Sequence, residues 1–199
     1  MDATPPQARP SPAQVLRAHA RGLLLANDLA LQVRYVVDPA TGDPVLSLSP
    51  ETVEAGEWVL CIPEEADDAL RLSGTSVVLD PAKDPACDRW IGYHGTPDQS
   101  FFRLTVAWAR LGVEVFDAPE VREPSTLRRA EVALVKILNA KIGALGPGVR
   151  AVGVDQRGID LRTHRGLVRI PFEIAATDAE DAAKKIEELL REDKHEAKP

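Results

Sequence analysis

Cysteine is scarce. The 199 residues hold only Cys61 and Cys87, with no CxxC and no cysteine and histidine spacing of the kind a structural zinc requires. A disulfide-stapled scaffold and a zinc module are thereby excluded, and both thiols are expected to be reduced and buried or half-buried. Long hydrophobic runs are missing too. Nothing approaches the roughly 20 apolar residues that span a bilayer. The opening MDATPPQARPSP lacks the apolar core of a signal peptide, which points to a cytoplasmic protein with no membrane partner. Positive charge is in deficit. Twenty-four Lys and Arg face 31 Asp and Glu, a net −7, so a general nucleic-acid surface is excluded and at most a local basic patch remains. There is no Gly-rich phosphate loop, no G-x-S-x-G elbow and no paired-carboxylate motif. The four histidines, His19, His94, His164 and His195, show no His-x-x-x-His or Glu-x-x-His pattern, so no metal site is suggested.

What is present is ordinary globular material, 44% apolar and 28% charged, in a length that suits one medium domain or two small ones. Residues 1–10, rich in Pro and polar side chains, form a disordered tail. Ser11-Pro12-Ala13-Gln14 supplies an N-cap hydroxyl, a first-turn proline and a capping-box glutamine, opening a helix whose core face takes Val15, Leu16, Leu23 and Leu24. Partly alternating stretches at 29–37, 45–49, 57–62 and 69–79 are predicted strands, the last with Gly74 as a bulge or bend. Asp84-Pro85 caps a short helix ended by Gly95, and strands follow at 101–108 and 113–116. Many short strands with few helices between them describe an antiparallel barrel or sandwich over 11–118.

The proline-bearing APEVREP, residues 118–124, marks a boundary. Beyond it, 127–142 has helical periodicity and is stopped by GALGPG. Strands at 149–154, 159–162 and 167–172 are joined by the tight turns Asp155-Gln156-Arg157-Gly158 and Thr163-His164-Arg165-Gly166. A second capping box, Thr177 to Glu180, opens a last helix, and 193–199 is a solvated tail. The expected fold class is α+β: an antiparallel split β-barrel carrying a small C-terminal helix, three-strand, helix domain over 125–192.

The phrases ALRLSGTSVVLDPAKDPACDRWIGYHG and VGVDQRGIDLRTHRGLVRIPF carry a resemblance. The first, through Arg71, Gly74, Arg89-Trp90 and His94-Gly95, resembles the FMN-binding split-barrel class related to pyridoxamine 5'-phosphate oxidase. The second, through Asp155, Gly158, Leu161, Arg169, Pro171 and Phe172, is similar to the C-terminal domain of the bacterial haem-utilisation branch. This resemblance implies a homodimer with a planar cofactor, FMN or haem, at the subunit interface. It also implies an activity, if one is present, as an FMN-dependent oxidoreductase or a haem-degrading oxygenase. The alternative is a non-catalytic descendant of the fold that serves as a binding or dimerisation module. That alternative is motivated by the segment from Leu48 to Arg71, which holds seven Asp or Glu and no basic residue before Arg71. Such a segment repels a phosphate dianion, each close like charge costing on the order of 1 kcal/mol.

The candidate cofactor-binding residues are Ser47 and Arg71. Ser47 stands where relatives contact the flavin phosphate; the other reading is a strand serine facing solvent. Arg71 offers a planar guanidinium fork to a phosphate or propionate, or is simply an exposed strand arginine. For haem, the resemblance implies an iron ligand from the C-terminal part of the chain, His164 or His195, each of which is otherwise a surface residue. His94 closes a helix, where the dipole favours it as a cap. No catalytic residue is identified.

Overall fold

The computed structural model describes residues 9–51, 54–64, 66–97, 99–142 and 148–196, with side chains as far as Arg191. The tail expected over 1–10 therefore lies outside the described residues except for its last two positions, and so do most of the GALGPG stop and the end of the C-terminal tail. The chain divides into two compact units.

The first unit comprises residues up to Val37, Asp43–Cys87 and Pro97–Glu123. It opens with helix α1 (Pro12–Ala18), where the Ser11 hydroxyl accepts from the Gln14 amide and the Gln14 side chain accepts from the Ser11 amide, the capping box read from the sequence. The helix then stops at His19, and Leu23 and Leu24 lie on a strand, β1 (Arg21–Ala26), a correction to the helical reading. The run GLLLA is apolar at every position, so periodicity does not distinguish helix from strand there. Pairing with two neighbouring strands decides it. The strands that follow are β2 (Leu29–Val37), β3 (Pro44–Leu48), β4 (Glu57–Ile62) and β5 (Leu70–Leu79). Helix α2 (Pro85–His94) comes next, then β6 (Ser100–Leu111), β7 (Glu114–Asp117) and the short helix α3 (Ala118–Val121) within the segment read as a boundary.

All strand pairs of this unit are antiparallel in the order β3-β2-β1-β4-β5-β6-β7, and a further β3 to β6 pairing closes six of them into a barrel with β7 as an extra strand. Leu24, Leu46, Leu60, Leu70, Leu72 and Leu104 alternate inward and are fully buried. Each contributes about 1.5–3 kcal/mol by leaving water. Trp58 and Phe102 meet inside at 5.2 Å between ring centroids. The bulge expected at Gly74 is present: Ser73 pairs with Trp108 but Gly74 pairs with Val106, so β6 carries Ala107 as an extra residue.

The second unit gathers Asp38–Gly42, Asp88–Thr96 and the chain from Pro124 onward, so the latter part of α2 belongs to it. Helix α2 is capped as read: Asp84 accepts from the Ala86 amide, and Gly95 ends the helix at φ +93°. The unit continues with α4 (Glu131–Ile142), β8 (Arg150–Asp155), β9 (Gly158–Thr163), β10 (Gly166–Pro171) and α5 (Ala179–Glu196). The three strands form an antiparallel sheet in the order β10-β9-β8, with two-residue turns at both expected places. Its core holds Leu134, Leu138, Val154, Ile159 and Ile186. The cap of α5 is Asp178 rather than Thr177: the Asp178 carboxylate accepts from the Asp181 amide, and Asp181 in turn accepts from the Thr177 amide. A carboxylate takes the place that the hydroxyl pattern suggested. The α+β barrel with an appended helix, three-strand, helix unit is thus the observed fold.

Candidate functional site

Because side chains alternate along a strand, the inward leucines fix which residues face out. On β5, Leu70 and Leu72 point into the barrel, so Arg71 and Ser73 point away; on β6, Ala109 and Leu111 do the same for Trp108 and Arg110. The register places Arg71 directly opposite Arg110 and Ser73 directly opposite Trp108. Two guanidinium groups side by side repel one another unless an anion lies between them. Arg71 reaches the Ala66 carbonyl at 3.5 Å, whereas half-buried Arg110 has no hydrogen-bond or ion-pair partner among the described residues.

The surroundings are largely apolar. Trp108 is 44% exposed, a large indole left in solvent at the middle of a sheet face. Val59 on β4 lies opposite Ser73, and Leu25 on β1 lies opposite Val59, both half-buried. Val115 on β7 lies opposite Arg110 and is 67% exposed. Two carboxylates share this face, Asp117 opposite Trp108 and Glu57 near Val59. The arrangement is an open aromatic and aliphatic surface with a paired cationic edge, the chemistry that meets a ligand bearing acidic groups.

Of the residues singled out in the sequence, Arg71 belongs to this face and Ser47 does not. Ser47 lies opposite Phe101 on β6 and turns away from the interior leucines of β3. Phe101 and Trp108 are seven positions apart on β6, roughly 23 Å along the strand. Ser47 is 7% exposed, so it does not face solvent, and its hydroxyl has no hydrogen-bond partner among the described residues. His164 sits exposed in the turn between β9 and β10. His195 is on α5, beyond the last described side chain. His94 ends α2 with its ring 4.8 Å from that of Trp90. Arg110 and Trp108 were not foreseen. Their one local signal is an arginine next but one to a tryptophan on a predicted strand.

The second unit holds a different polar constellation, also unforeseen as a set. Arg89 donates to Glu131 and, at 2.7 Å, to the Tyr93 oxygen; Tyr93 donates to Asp160 at 2.7 Å. Arg169 completes the chain with a fork, donating to Asp160 at 2.9 Å and to Asp155 at 2.6 Å. Glu131 also accepts from the Val154 amide. Burial lowers the Arg89 pKa, but the Tyr93 oxygen and the Glu131 and Asp160 carboxylates outweigh it and leave the guanidinium above its ordinary value. Arg169 is likewise raised against burial by Asp160 and Asp155. With every charged group paired and covered, this constellation braces the unit and offers no reacting atom to a substrate.

Tyr93 is pushed well above the usual phenol range by burial, with Arg89 opposing and Asp160 and Glu131 reinforcing. Burial does the same to Tyr35, whose hydroxyl donates to the Leu16 carbonyl at 2.8 Å in the barrel. These are the chain's two tyrosines. Both hold their protons more tightly folded than unfolded. The stability they contribute is therefore complete below the unfolded phenol pKa of about 10 and is lost as pH rises above it, by about 1.4 kcal/mol per pH unit for each. Titration from pH about 9 to about 12 is expected to show phenolate absorbance only together with unfolding. Ionisation of a still-folded protein near pH 10 would contradict the burial.

Among the described residues no cluster of three His, Cys, Asp or Glu is placed to hold a metal ion, and no helix is long and apolar enough to cross a membrane. No family model matches this sequence, and no curated protein matches it. Among solved structures, a protein of unknown function from Agrobacterium tumefaciens str. C58 is similar with a TM-score of 0.66 at 20% identity, over 94% of this chain and 100% of that one. A heme binding protein from Mycobacterium smegmatis aligns with a TM-score of 0.42 at 18% identity, over 94% and 99% of the two chains. The Agrobacterium likeness speaks to the fold, and a closed six-strand barrel with an appended α/β unit fits a split-barrel class.

Proposed function

We propose that this chain is a cofactor-binding split-barrel protein that takes a planar ligand bearing acidic groups against the outer face of β5 and β6, haem in preference to FMN, and that a second copy covers the ligand from the other side. The observation that carries this reading is the cross-strand pair Arg71 and Arg110 beside the half-exposed Trp108. The Arg110 guanidinium, without a partner among the described residues, offers a fork to a propionate, and Arg71 directly opposite adds a second positive charge. A single phosphate dianion concentrates its charge on a face that also bears Glu57 and Asp117. The second copy follows from shape: small-molecule sites bury roughly 70–90% of their ligand, whereas an open sheet face covers one side of a flat molecule. Val113 and Val115, exposed by 92% and 67%, extend the apolar area beside the arginines.

When bound, haem supplies the redox chemistry of its iron, and the chain's part is to orient the ring on Trp108 and fix the propionates at Arg71 and Arg110. His164 and His195 are the histidines that the family resemblance offers to the iron. A non-catalytic binding module is the second reading. It is favoured by the absence of any histidine or exposed cysteine on this face among the described residues.

Visible spectroscopy with added haemin tests the proposal. A Soret shift is expected, with affinity falling about tenfold or more in R110A and R71A, the loss of a charged hydrogen bond of about 1.5–3 kcal/mol. S47A should leave it unchanged. FMN serves as the parallel arm and is expected not to bind, and a band displaced in H164A or H195A identifies the iron ligand. A spectrum indifferent to haemin, or equal binding by R110A, sinks the reading. Haemin consumption under reductant and oxygen separates an oxygenase from a binding module.

A further inference from the structure

Helix α4 has two faces, and one of them has no use in the fold of its unit. Glu131, Leu134, Leu138 and Ile142 are buried. On the other side Val132, Ala133, Lys136, Ile137 and Ala140 are exposed, as are Arg128 and Arg129 in the turn before it. Val132 is 80% exposed and Ile137 48%. A helix that is apolar on both sides is normally covered on both.

The charges on this face run one way. Among the described residues, Arg128, Arg129 and Lys136 have no ion-pair partner, and α4 presents no exposed carboxylate; only Lys141, at its end, pairs with Glu187. This occurs in a chain of net charge −7. Two of the cations also stand where they weaken the helix, because Arg128 and Arg129 precede an N-terminus that already bears partial positive charge. Folding gains nothing from them there.

We propose that this face of α4 docks an acidic, partly apolar segment of a protein partner, its carboxylates on Arg129 and Lys136 and its apolar side chains beside Val132 and Ile137. At 3.6 residues per turn, Lys136 falls at the centre of the exposed arc with Val132 and Ile137 to either side, and Arg129 lies in the turn that leads into the helix. A helix lying on lipid has the reverse order, apolar residues central and cations at the margins. Interleaved cations and aliphatics instead match a surface that carries carboxylates between apolar groups.

The test uses the full-length chain and a fluorescein-labelled synthetic helical peptide with a stripe of Glu beside a stripe of Leu, read by fluorescence anisotropy. Binding is expected, weakening about tenfold between about 50 and about 300 mM salt and by at least about tenfold in the double variant R129E/K136E. Glu at position 129 suits a helix N-terminus, so the melting temperature of R129E should hold or rise, which separates lost docking from lost folding. V132S should weaken binding with little change in the salt dependence. An anisotropy that does not rise, or binding unaffected by R129E/K136E, overturns the proposal. Vesicles containing phosphatidylserine form the other arm: their capture by the wild type and not by the double variant would make lipid the occupant and overturn it too.

Discussion

Replacing Arg169 with alanine is expected to cost about 3–5 kcal/mol of stability, the range for removing one member of a buried ion pair. The size follows from what remains. Arg169 serves two carboxylates at once, Asp160 and Asp155, whose side chains are 13% and 3% exposed. Without it both stay in place, Asp155 with a hydrogen bond from the Arg157 amide and Asp160 with the Tyr93 hydroxyl and the field of Arg89, but both lose the charged fork that joined them. R169K keeps the charge and loses the fork, so its loss should fall between that of R169A and zero. Urea unfolding followed by circular dichroism measures both. A midpoint that moves at constant slope reports stability alone. A loss below about 1 kcal/mol for R169A would mean that the carboxylates find water instead.

Gly74→Ala is the other large effect, expected near 3 kcal/mol, the upper part of the usual range for overpacking. A Cβ there would lie 2.0 Å from the Thr105 carbonyl oxygen, 2.8 Å from its carbon and 3.0 Å from the Val106 Cα. All three are backbone atoms of the neighbouring strand, so relief requires parting β5 from β6 at the bulge. Gly92 makes a matched control of opposite sign. It sits inside α2 with nothing within 4 Å of its would-be Cβ, so Gly92→Ala should stabilise by about 0.5–1 kcal/mol. The pair of variants tests whether space, rather than glycine content, governs. Equal destabilisation by both would contradict that.

What the sequence made legible was local. The capping box at Ser11, the turns closed by Gly158 and Gly166 and the Gly74 bulge are each written within a few residues, where φ preferences and caps act directly. Where several local signals agree weakly, context decides, as with GLLLA becoming β1 and Asp178 displacing Thr177 as the cap of α5. The binding face was legible only at Arg71. Its partner Arg110 is 39 positions away and becomes its neighbour solely through strand register, which no periodicity encodes. Trp108 on a predicted strand looks like a core residue until Ala107 is seen to be the extra residue at the bulge. Asp155 and Arg169 were visible as members of a familiar phrase, but their link through Asp160 and Tyr93 to Arg89 exists only after folding.

The contribution of Asp88–Thr96 to the second unit bears on how the chain is made. Arg89 is translated 42 residues before Glu131, and Tyr93 67 residues before Asp160. On the ribosome these two side chains emerge before Glu131 and Asp160, and the brace closes only when β10, which carries Arg169, has left the exit tunnel. Contacts of such separation slow folding and lengthen the exposure of unpaired groups. A fragment beginning at Pro124 would inherit Glu131 and Asp160 without Arg89 and Tyr93, so the C-terminal unit is not a cassette that a gene can transplant by a single cut.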